Sequence, residues 1–411
     1  MDTAGRIYDV AVVGAGPAGA AAATRLARGG RDVALVDKAT FPRHKPCAEY
    51  LSPAAEPLLA ELDVLDAIEA AHPGRLRGFR IHAPNGRVFQ GDFAATRDAA
   101  GRSLFETGLA VPRYRLDAAI VAAARRAGAE LREGWRLGDL ARADGIWRLE
   151  PAGGGGEALR ARLLIAADGV HSTVARRLGL HVPGNLRKVA LVAHMTGIAG
   201  LGAYGEMHIA GRRYVGLAPL QPAADGDLCN VAMVVDEARD GHALAGRPQD
   251  FLLDALATFP RLRDRLERAT IARRTLAVSR IHVRAKRRSG EGLLLAGDAG
   301  GYYDPFTGEG IYRALRSAQL AAEIALDALA TGDLSARALA RYDAAQRREF
   351  RGKHTIEAII QRAVQAPPLM DHIAAVMNRH PRMADTVVAV TGDFLPPAAV
   401  LRPGYLLRLL V

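Results

Sequence analysis

The sequence predicts an α/β protein with an inserted, mainly antiparallel β-sheet and a helical C-terminal region. Three observations support this fold class. Apolar, strand-like runs that end in glycine or aspartate occur within residues 8–38, 163–180 and 292–322. Short β-rich runs separated by Gly, Pro and Asp turns fill residues 73–110 and 181–285. The C-terminal 80 residues are largely helical in pattern.

Length and composition limit the classes of protein to consider. The chain has 411 residues, of which 49% are hydrophobic and 24% charged, so we expect a globular protein of two or three domains. Its two cysteines, Cys47 and Cys229, are too few for a disulfide framework, and no leader precedes the first strand, so we expect a cytoplasmic protein. The net charge of +11 comes mostly from scattered arginines, and no nucleic-acid module is visible.

The first element is a strand, turn, helix and strand unit. Its first strand ends at Gly14, Gly16 and Gly19 follow at the G-x-G-x-x-G spacing, and its second strand ends at Asp37. Such a unit presents helix N-terminal amides to a pyrophosphate, and the acid accepts hydrogen bonds from the adenosine ribose. We therefore predict an ADP-containing dinucleotide. The binding residues expected from this unit are Gly14, Gly16, Pro17, Ala18, Gly19, Asp37 and Lys38.

The two later strands end in similar acidic positions. The run LLIAADGVHSTVARRLGL ends its strand at Asp168 and Gly169, and GLLLAGDAGGYYDPFTGEGIYRAL ends its strand at Gly297 and Asp298. Open α/β sheets bind ligands at the carboxyl ends of their strands. Three such ends spread over the chain predict one long ligand.

Together these three segments resemble the FAD signatures of the p-hydroxybenzoate hydroxylase-like flavoproteins, which include aromatic monooxygenases, geranylgeranyl reductases and halogenases. The resemblance implies a Rossmann-like FAD-binding domain of the GR2 type. It implies that Asp298 binds the ribityl chain, that Asp168 and Gly169 serve FAD and the nicotinamide donor, and that Arg113 in VPRYRLDAAIV binds the flavin. The resemblance also implies cofactor contacts at Gly297 and, around the flavin ring, at Pro305, Gly308, Glu309, Gly310 and Ile311.

The same reading divides the chain into three parts. The FAD-binding domain is expected to be discontinuous, over residues 1–72, 111–180 and 286–330. The substrate-binding β-sheet domain is expected over 73–110 and 181–285. A C-terminal helical region, 331–411, completes the chain.

The proline-rich segment FPRHKPCAEYLSP follows Asp37 and is expected to cross from the adenosine end of FAD toward the flavin. Arg43 and Lys45 can face phosphate or flavin charge there. Cys47 is expected beside the flavin, where Arg43 and Cys47 count among the cofactor-binding residues. Cys47 and Glu49 are candidates for a direct role, with packing or loop shape as the alternative. The segment resembles the reductase branch, in which the cysteine is followed by glycine and glutamate; here Ala48 replaces the glycine.

Two reactions remain open on this scaffold. The first is hydroxylation of a phenolic or aromatic lipophilic molecule, of secondary-metabolite or polyketide type, with NADPH or NADH and O2 through a flavin hydroperoxide. The second is reduction of alkene bonds in a prenyl or other hydrophobic substrate, and a non-catalytic flavin-binding role is a third alternative. Candidate catalytic residues are Cys47, Glu49 and Tyr302, whose phenol can help to ionise a substrate hydroxyl.

The histidines and the C-terminal tail give two further expectations. His44, His171 and His194 are each expected to be surface, capping or core residues, and no metal-binding spacing is found. The tail at 394–411 has Arg402 and Arg408 among leucines, so it either packs as a final helix over the substrate domain, or touches a membrane or covers an entrance for a lipophilic substrate.

Overall fold

The computed structural model describes residues 6–98, 100–154, 156–221 and 227–409. Its strands, in chain order, are β1 (Ile7–Val13), β2 (Val33–Val36), β3 (Tyr50–Leu51), β4 (Gly74–Leu76), β5 (Gly78–His82), β6 (Val88–Asp92), β7 (Gly108–Ala110), β8 (Glu130–Arg132), β9 (Leu137–Ala143), β10 (Ile146–Pro151), β11 (Leu159–Ala166), β12 (His181–Pro183), β13 (Lys188–Thr196), β14 (Gly205–Ala210), β15 (Arg213–Pro219), β16 (Cys229–Asp236), β17 (Thr270–Ser279), β18 (Val283–Ala285), β19 (Ser289–Gly290), β20 (Leu293–Leu295) and β21 (Gly301–Tyr302).

The α-helices follow the same chain order. They are α1 (Pro17–Arg28), α2 (Ala55–Ala60), α3 (Leu65–Glu69), α4 (Arg113–Arg126), α5 (Thr173–Arg177), α6 (Glu237–Leu244), α7 (Pro248–Leu256), α8 (Gly310–Thr331), α9 (Ala336–Gln365), α10 (Pro367–Arg379), α11 (Pro381–Thr391), α12 (Ala398–Leu401) and α13 (Pro403–Arg408).

A largely parallel sheet carries the first strand of the chain at its centre. Its order is β19-β20-β11-β1-β2-β8, and the antiparallel strands β10 and β9 extend it from β11. The register aligns Val13 with both Val36 and Ala166, and Ala166 with Leu295. Four strand ends therefore meet along one edge, and the turns that follow them are brought together.

Helix α1 is built from small residues, because it packs closely on its neighbours. Its first eight residues, from Pro17 to Thr24, are all buried, and α4 and α8 contact it. A Cβ atom on Gly19 would lie 1.7 Å from the Gly14 carbonyl oxygen, so only glycine allows the helix start to press against the preceding turn. This packing fixes the helix N-terminus at the aligned strand ends.

A second sheet covers the edge of the first. Its order is β17-β13-β16-β15-β14-β5-β6, and all its pairs are antiparallel except β14 with β5. Helices α10 to α13 pack with one face of this sheet in a shared apolar core, and α6 and α7 pack with the other. The α/β class with an inserted, mainly antiparallel sheet and a helical C-terminal region is confirmed.

Two small sheets were not expected from the sequence. Strands β3, β7 and β4 form one, and β12, β18 and β21 form the other. Both join segments that lie far apart in the chain, so their pairing depends on tertiary contacts. In the part of the chain that the structure describes, no helix is both long and apolar enough to span a bilayer.

Candidate functional site

The turn after β1 is tight and is fixed by backbone contacts. Gly14 has a φ of +99°, and its N–H donates to the Val36 carbonyl at 2.7 Å. A Cβ atom on Gly14 would lie 2.4 Å from the Ala167 carbonyl oxygen. By contrast, a Cβ on Gly16 would come no nearer than 3.5 Å to Arg43 and 4.0 Å to Arg113. Gly16 thus borders open space that faces two guanidinium groups.

The Asp37 carboxylate lies at the end of β2 and already accepts two backbone hydrogen bonds. Its Oδ2 accepts from the Ala15 N–H and its Oδ1 from the Ala39 N–H, both at 2.8 Å. An ionised carboxylate has about four acceptor positions, so two remain for ribose hydroxyls. The neighbouring Lys38 is exposed.

Three cations converge on the glycine turn. Arg113 makes a two-pronged contact with Asp117 at 2.8 and 2.9 Å, and Arg43 contacts the same carboxylate at 3.0 Å. The Lys45 ammonium would lie 3.1 Å from a Cβ on Gly169. Burial and then the Arg113 charge lower the pKa of Lys45.

An anion placed between these cations would relieve their mutual repulsion, and the N-terminus of α1 points backbone amides at the same space. An open glycine cradle, three basic side chains and the spare acceptor positions of Asp37 fit an ADP-bearing cofactor. The fit depends on residues of the first strand unit, of the proline-rich segment and of α4 together.

Both carboxylate oxygens of Glu49 accept hydrogen bonds from neighbouring residues. Its backbone has a φ of +57°, its Oε1 accepts from the Arg113 N–H at 2.7 Å, and its Oε2 accepts from His194 Nε2 at 2.6 Å and from Asn230 Nδ2 at 2.9 Å. The Asn230 amide also donates to the Cys47 carbonyl at 3.0 Å. Glu49 therefore fastens the loop to the second sheet, as the loop-shape alternative expects, and its direct role stays a prediction.

Cys47 lines the cleft between the two sheets, but its surroundings favour the neutral thiol. Its Sγ accepts from the Glu49 N–H at 3.3 Å. Burial raises the pKa of the Cys47 thiol, and the nearby Arg113 charge only partly opposes this. A protonated thiol is a poor nucleophile, which agrees with the packing alternative; a direct role for Cys47 stays a prediction.

The second and third acidic positions have different roles. Asp168 Oδ2 accepts from the Thr173 N–H at 2.6 Å, so this side chain holds the start of α5, and burial raises its pKa. Its Oδ1 has no hydrogen-bond partner among the described residues. Asp298 instead lines the cleft, as do Gly169 and Gly297.

The start of α8 and the segment before it also line the cleft, through Pro305, Gly308, Gly310 and Ile311. The Glu309 side chain points away from it. Its Oε2 lies 3.8 Å from the Lys353 ammonium, which also contacts Asp393. Burial raises the pKa of Glu309 to about 7. This residue can therefore contribute its backbone to the site but not its carboxylate.

The floor of the cleft is made of small residues on one face of the second sheet. Alternate positions of three neighbouring strands bring together Ala190, Val192, Gly216, Ala232 and Val234. Tyr302 lines the same space, and its phenol has a pKa raised well above the ordinary value by burial. With open solvent at its mouth included, the cleft measures about 1260 Å³.

A buried polar group lies beside this floor that sequence reasoning missed. The Tyr214 hydroxyl and the Gln361 amide both donate to Asp304 Oδ1, at 2.5 and 2.6 Å. Burial raises the pKa of Asp304 to about 6. The three residues come from β15, from the segment after β21 and from α9, so no spacing along the chain signals their contact.

A second, strongly apolar cavity adjoins the cleft. Met207 borders both spaces, and Phe306 and Thr307, which follow the cleft residue Pro305, line the second. This apolar cavity measures about 1050 Å³ with its open mouth included. Its other walls come from β5, β6 and helices α9 to α13, for example Ile81, Phe89, Ile356, Met370, Val390 and Tyr405.

One group among the described residues has the composition of a metal ligand set: His82, Glu206 and His208. Its geometry does not suit an ion. The two imidazoles are stacked, with centroids 3.9 Å apart and planes at 12°, so their in-plane lone pairs do not converge. Arg265 also occupies both Glu206 oxygens, at 2.6 and 3.0 Å. We assign no metal to this group.

Comparisons with known proteins agree with the geometry. The family model described as FAD binding domain matches residues 7–357. The chain is 30% identical over 422 residues to conditioned medium factor receptor 1 of Dictyostelium discoideum, covering 97% of this chain and 79% of that protein. It is 31% identical over 342 residues to a digeranylgeranylglycerophospholipid reductase of Methanosarcina acetivorans, covering 80% and 77% respectively.

Among solved structures, a flavoprotein/dehydrogenase from Cytophaga hutchinsonii superposes with a TM-score of 0.82. The match covers 97% of this chain and 96% of that chain at 19% identity. At this identity the likeness concerns the fold alone.

Proposed function

The chain belongs to the FAD-binding domain family and is an FAD-dependent oxidoreductase; from this premise we propose that it reduces carbon–carbon double bonds in a long, apolar, isoprenoid-like substrate. NADPH or NADH is the proposed electron donor. The observation that carries the proposal is the apolar cavity that meets the cleft at Met207. The name of the similar reductase from Methanosarcina acetivorans, which specifies a lipid with geranylgeranyl chains, supports the same substrate class.

The cavity suits a chain better than a compact ring. Aliphatic, methionine and aromatic side chains from both the second sheet and the C-terminal helices line it, so a flexible hydrocarbon buries its surface without leaving polar groups unpaired. The small residues of the cleft floor leave room for one segment of that chain above the parallel sheet's edge. A double bond in that segment would lie between the floor and the start of α8.

The chain's own residues bind and orient. Arg43, Lys45 and Arg113 would neutralise the pyrophosphate, Asp37 would accept ribose hydrogen bonds, and Asp298, which lines the cleft, would bind the ribityl hydroxyls. Bound FAD supplies a hydride, which with one proton saturates the double bond. The packed side chains of the apolar cavity exclude water from the substrate chain.

The test is anaerobic turnover with the FAD-loaded protein. Reduced with NADPH, NADH or dithionite, it is incubated with geranylgeranyl lipids and with a prenylated quinone, and the products are weighed by mass spectrometry. We expect two hydrogens to be added for each double bond reduced, with reoxidation of the flavin absorbance. Substrates recovered unchanged, with flavin that stays reduced, would overturn the proposal.

Hydroxylation of a phenolic lipophilic molecule is the second candidate. The observation that favours it is Tyr302, whose phenol lines the cleft and stays protonated at neutral pH, so it can donate a hydrogen bond to a substrate oxygen. Aerobic NADPH oxidation with substrate-dependent oxygen uptake, and a product heavier by one oxygen atom, would support it. Oxygen uptake that yields only hydrogen peroxide would count against it.

A further inference from the structure

We propose that the C-terminal helices bind the surface of an anionic lipid bilayer through an arginine–leucine face. We define this face by Ile359, Leu369, Leu406 and Leu407 together with Arg362, Arg402 and Arg408. The face lies on α9, α10 and α13 and on the residue before α13. The proposal does not depend on which reaction the cleft performs.

The apolar part of this face is unusually exposed. Ile359, Leu369, Leu406 and Leu407 are 40%, 44%, 37% and 62% exposed, and they make up four of the seven large hydrophobic residues that are exposed among the described residues. All four fall within the last 53 residues of the chain. Such clustering differs from the scattered apolar residues found on ordinary surfaces.

The four residues belong to one surface. Ile359 and Leu406 both line the apolar cavity, so they lie near one another at its open side. The His372 Nε2 donates to the Leu409 carbonyl at 2.8 Å, which fastens α10 to α13 one turn after Leu369. Part of the face therefore lies at the apolar cavity.

The exposed charges around the arginine–leucine face indicate which kind of partner would bind it. Between residues 359 and 409 the described exposed charges are all arginine, at positions 362, 379, 382, 402 and 408. The three aspartates of this region are half-buried, and each has a partner within the protein. Asp371 accepts from the Asn85 N–H at 2.9 Å, Asp385 from the Asp92 N–H at 3.0 Å, and Asp393 pairs with Lys353. The exposed charge of this region is therefore positive.

A cationic rim around exposed leucines matches the negative headgroups and the acyl boundary of an anionic bilayer. Nucleic acid would match the charge but leave the leucines in water. The short helix α13 carries Leu406 and Leu407 beside Arg408, so apolar and basic side chains can enter the interface together. A bilayer is therefore the partner that satisfies both observations.

The test is flotation of the full-length, FAD-loaded protein with vesicles. One set contains phosphatidylcholine alone and the other phosphatidylcholine with phosphatidylglycerol at three to one. We expect binding to the anionic vesicles, weakened by salt because the surface charge is screened. The variant Arg402→Glu/Arg408→Glu should lose at least about tenfold in partition, since each basic residue near the surface contributes several-fold. Leu369→Ser/Leu407→Ser should also weaken binding.

The controls match the changes in charge and in exposed apolar area. Arg239→Glu/Arg274→Glu removes the same charge from exposed arginines on α6 and β17, and Leu253→Ser alters a leucine that is 38% exposed on α7. Both controls should bind as the wild type does. Equal losses in Arg239→Glu/Arg274→Glu would show general attraction by net charge and overturn the proposal. So would a wild type that does not float, or one that only self-associates; bound flavin and melting temperature report folding of every variant.

Discussion

At the scale of single residues, Glu49 links the two sheets. Its carboxylate joins a loop beside the parallel sheet to His194 and Asn230 on the second sheet, and all three residues are at least 95% buried. A buried carboxylate that loses its donors keeps its desolvation cost, so the contacts are worth more than exposed pairs.

The coupling between Glu49 and His194 can be measured by a double-mutant cycle. We expect Glu49→Gln and His194→Gln each to lower the free energy of unfolding by about 1–3 kcal/mol. The double variant should lose less than the sum, because both changes remove one contact. Urea unfolding of the FAD-loaded protein at pH 7 measures this. Glu61→Gln, on a half-exposed carboxylate, is the matched control and should cost at most about 0.5 kcal/mol. Strictly additive losses would contradict a direct contact.

His82 is a second residue with a measurable role, in the dependence of stability on pH. Burial lowers the pKa of His82 to about 4, aided by the positive charge of His208, Arg265 and Arg261 and opposed by Glu206. The unfolded chain takes up a proton near pH 6.5 and the folded ring only near pH 4. Stability from this residue is therefore complete above pH 6.5 and is lost as pH falls toward 4.

We expect His82→Phe, which keeps the ring stack on His208, to lose less stability than the wild type between pH 7.5 and pH 5.0. The difference should be about 1 kcal/mol after allowance for solvent screening. Urea midpoints at the two pH values measure it. The exposed His380→Phe should behave as the wild type, and identical pH slopes for His82→Phe would show that this ring is not the source.

Residue-scale contacts were the least predictable part of the site. The glycine turn and Asp37 follow from local spacing, because one strand and one helix fix their geometry. The Glu49 and His194 contact joins positions 145 residues apart, and no local pattern marks either as a partner. Alternation along β13 places His194 on the same side of the strand as Val192, but it does not identify what lies opposite.

At the scale of elements, the turn between β1 and α1 contains one glycine that folding requires and another that faces the expected cofactor site. Gly19 touches the preceding turn, whereas Gly16 faces open space beside Arg43 and Arg113. The strands that end in glycine and aspartate were predicted because buried parallel strands read as continuous apolar runs. The small sheets escaped prediction, since strands of two or three residues carry no periodic signal.

Alanine at these two glycines should therefore have different effects. We expect Gly19→Ala to lower the free energy of unfolding by about 3 kcal/mol, because the new methyl group meets backbone. Gly16→Ala should leave folding nearly unchanged but weaken FAD binding about tenfold or more, since the methyl group would enter the open space expected to hold the phosphate. Unfolding curves and FAD titration of the apoprotein measure both. Gly202→Ala has open space around it and serves as the control. Equal effects of Gly16→Ala and Gly19→Ala on folding would refute the division.

At the scale of the whole molecule, two sheets and the C-terminal helices together enclose the cleft and the apolar cavity. Composition and pattern predicted a substrate sheet and a helical end, but not the cavity between them. A cavity depends on which faces meet, and the contact of α9 to α13 with β5, β6 and β14 joins distant parts of the chain. The length of substrate that the protein can accept therefore depends on the assembled fold.

The cavity predicts a dependence on chain length that a single substitution can change. Ala363 is buried on α9 and lines the apolar cavity, so Ala363→Phe places a ring inside the space proposed to hold a long substrate. We expect kcat/KM for a twenty-carbon isoprenoid to fall at least about tenfold, which corresponds to a loss of roughly 1.4 kcal/mol of transition-state stabilisation. A ten-carbon isoprenoid that needs only the cleft should be reduced at nearly the wild-type rate. Ala358→Phe, half-buried on the same helix and outside the cavity lining, should affect neither substrate. Bound FAD and melting temperature identify a folding defect, and Ile360→Trp provides a second way to fill the space if Ala363→Phe is unstable. Equal losses for the two substrates in a folded variant would mean that the cavity does not hold the chain.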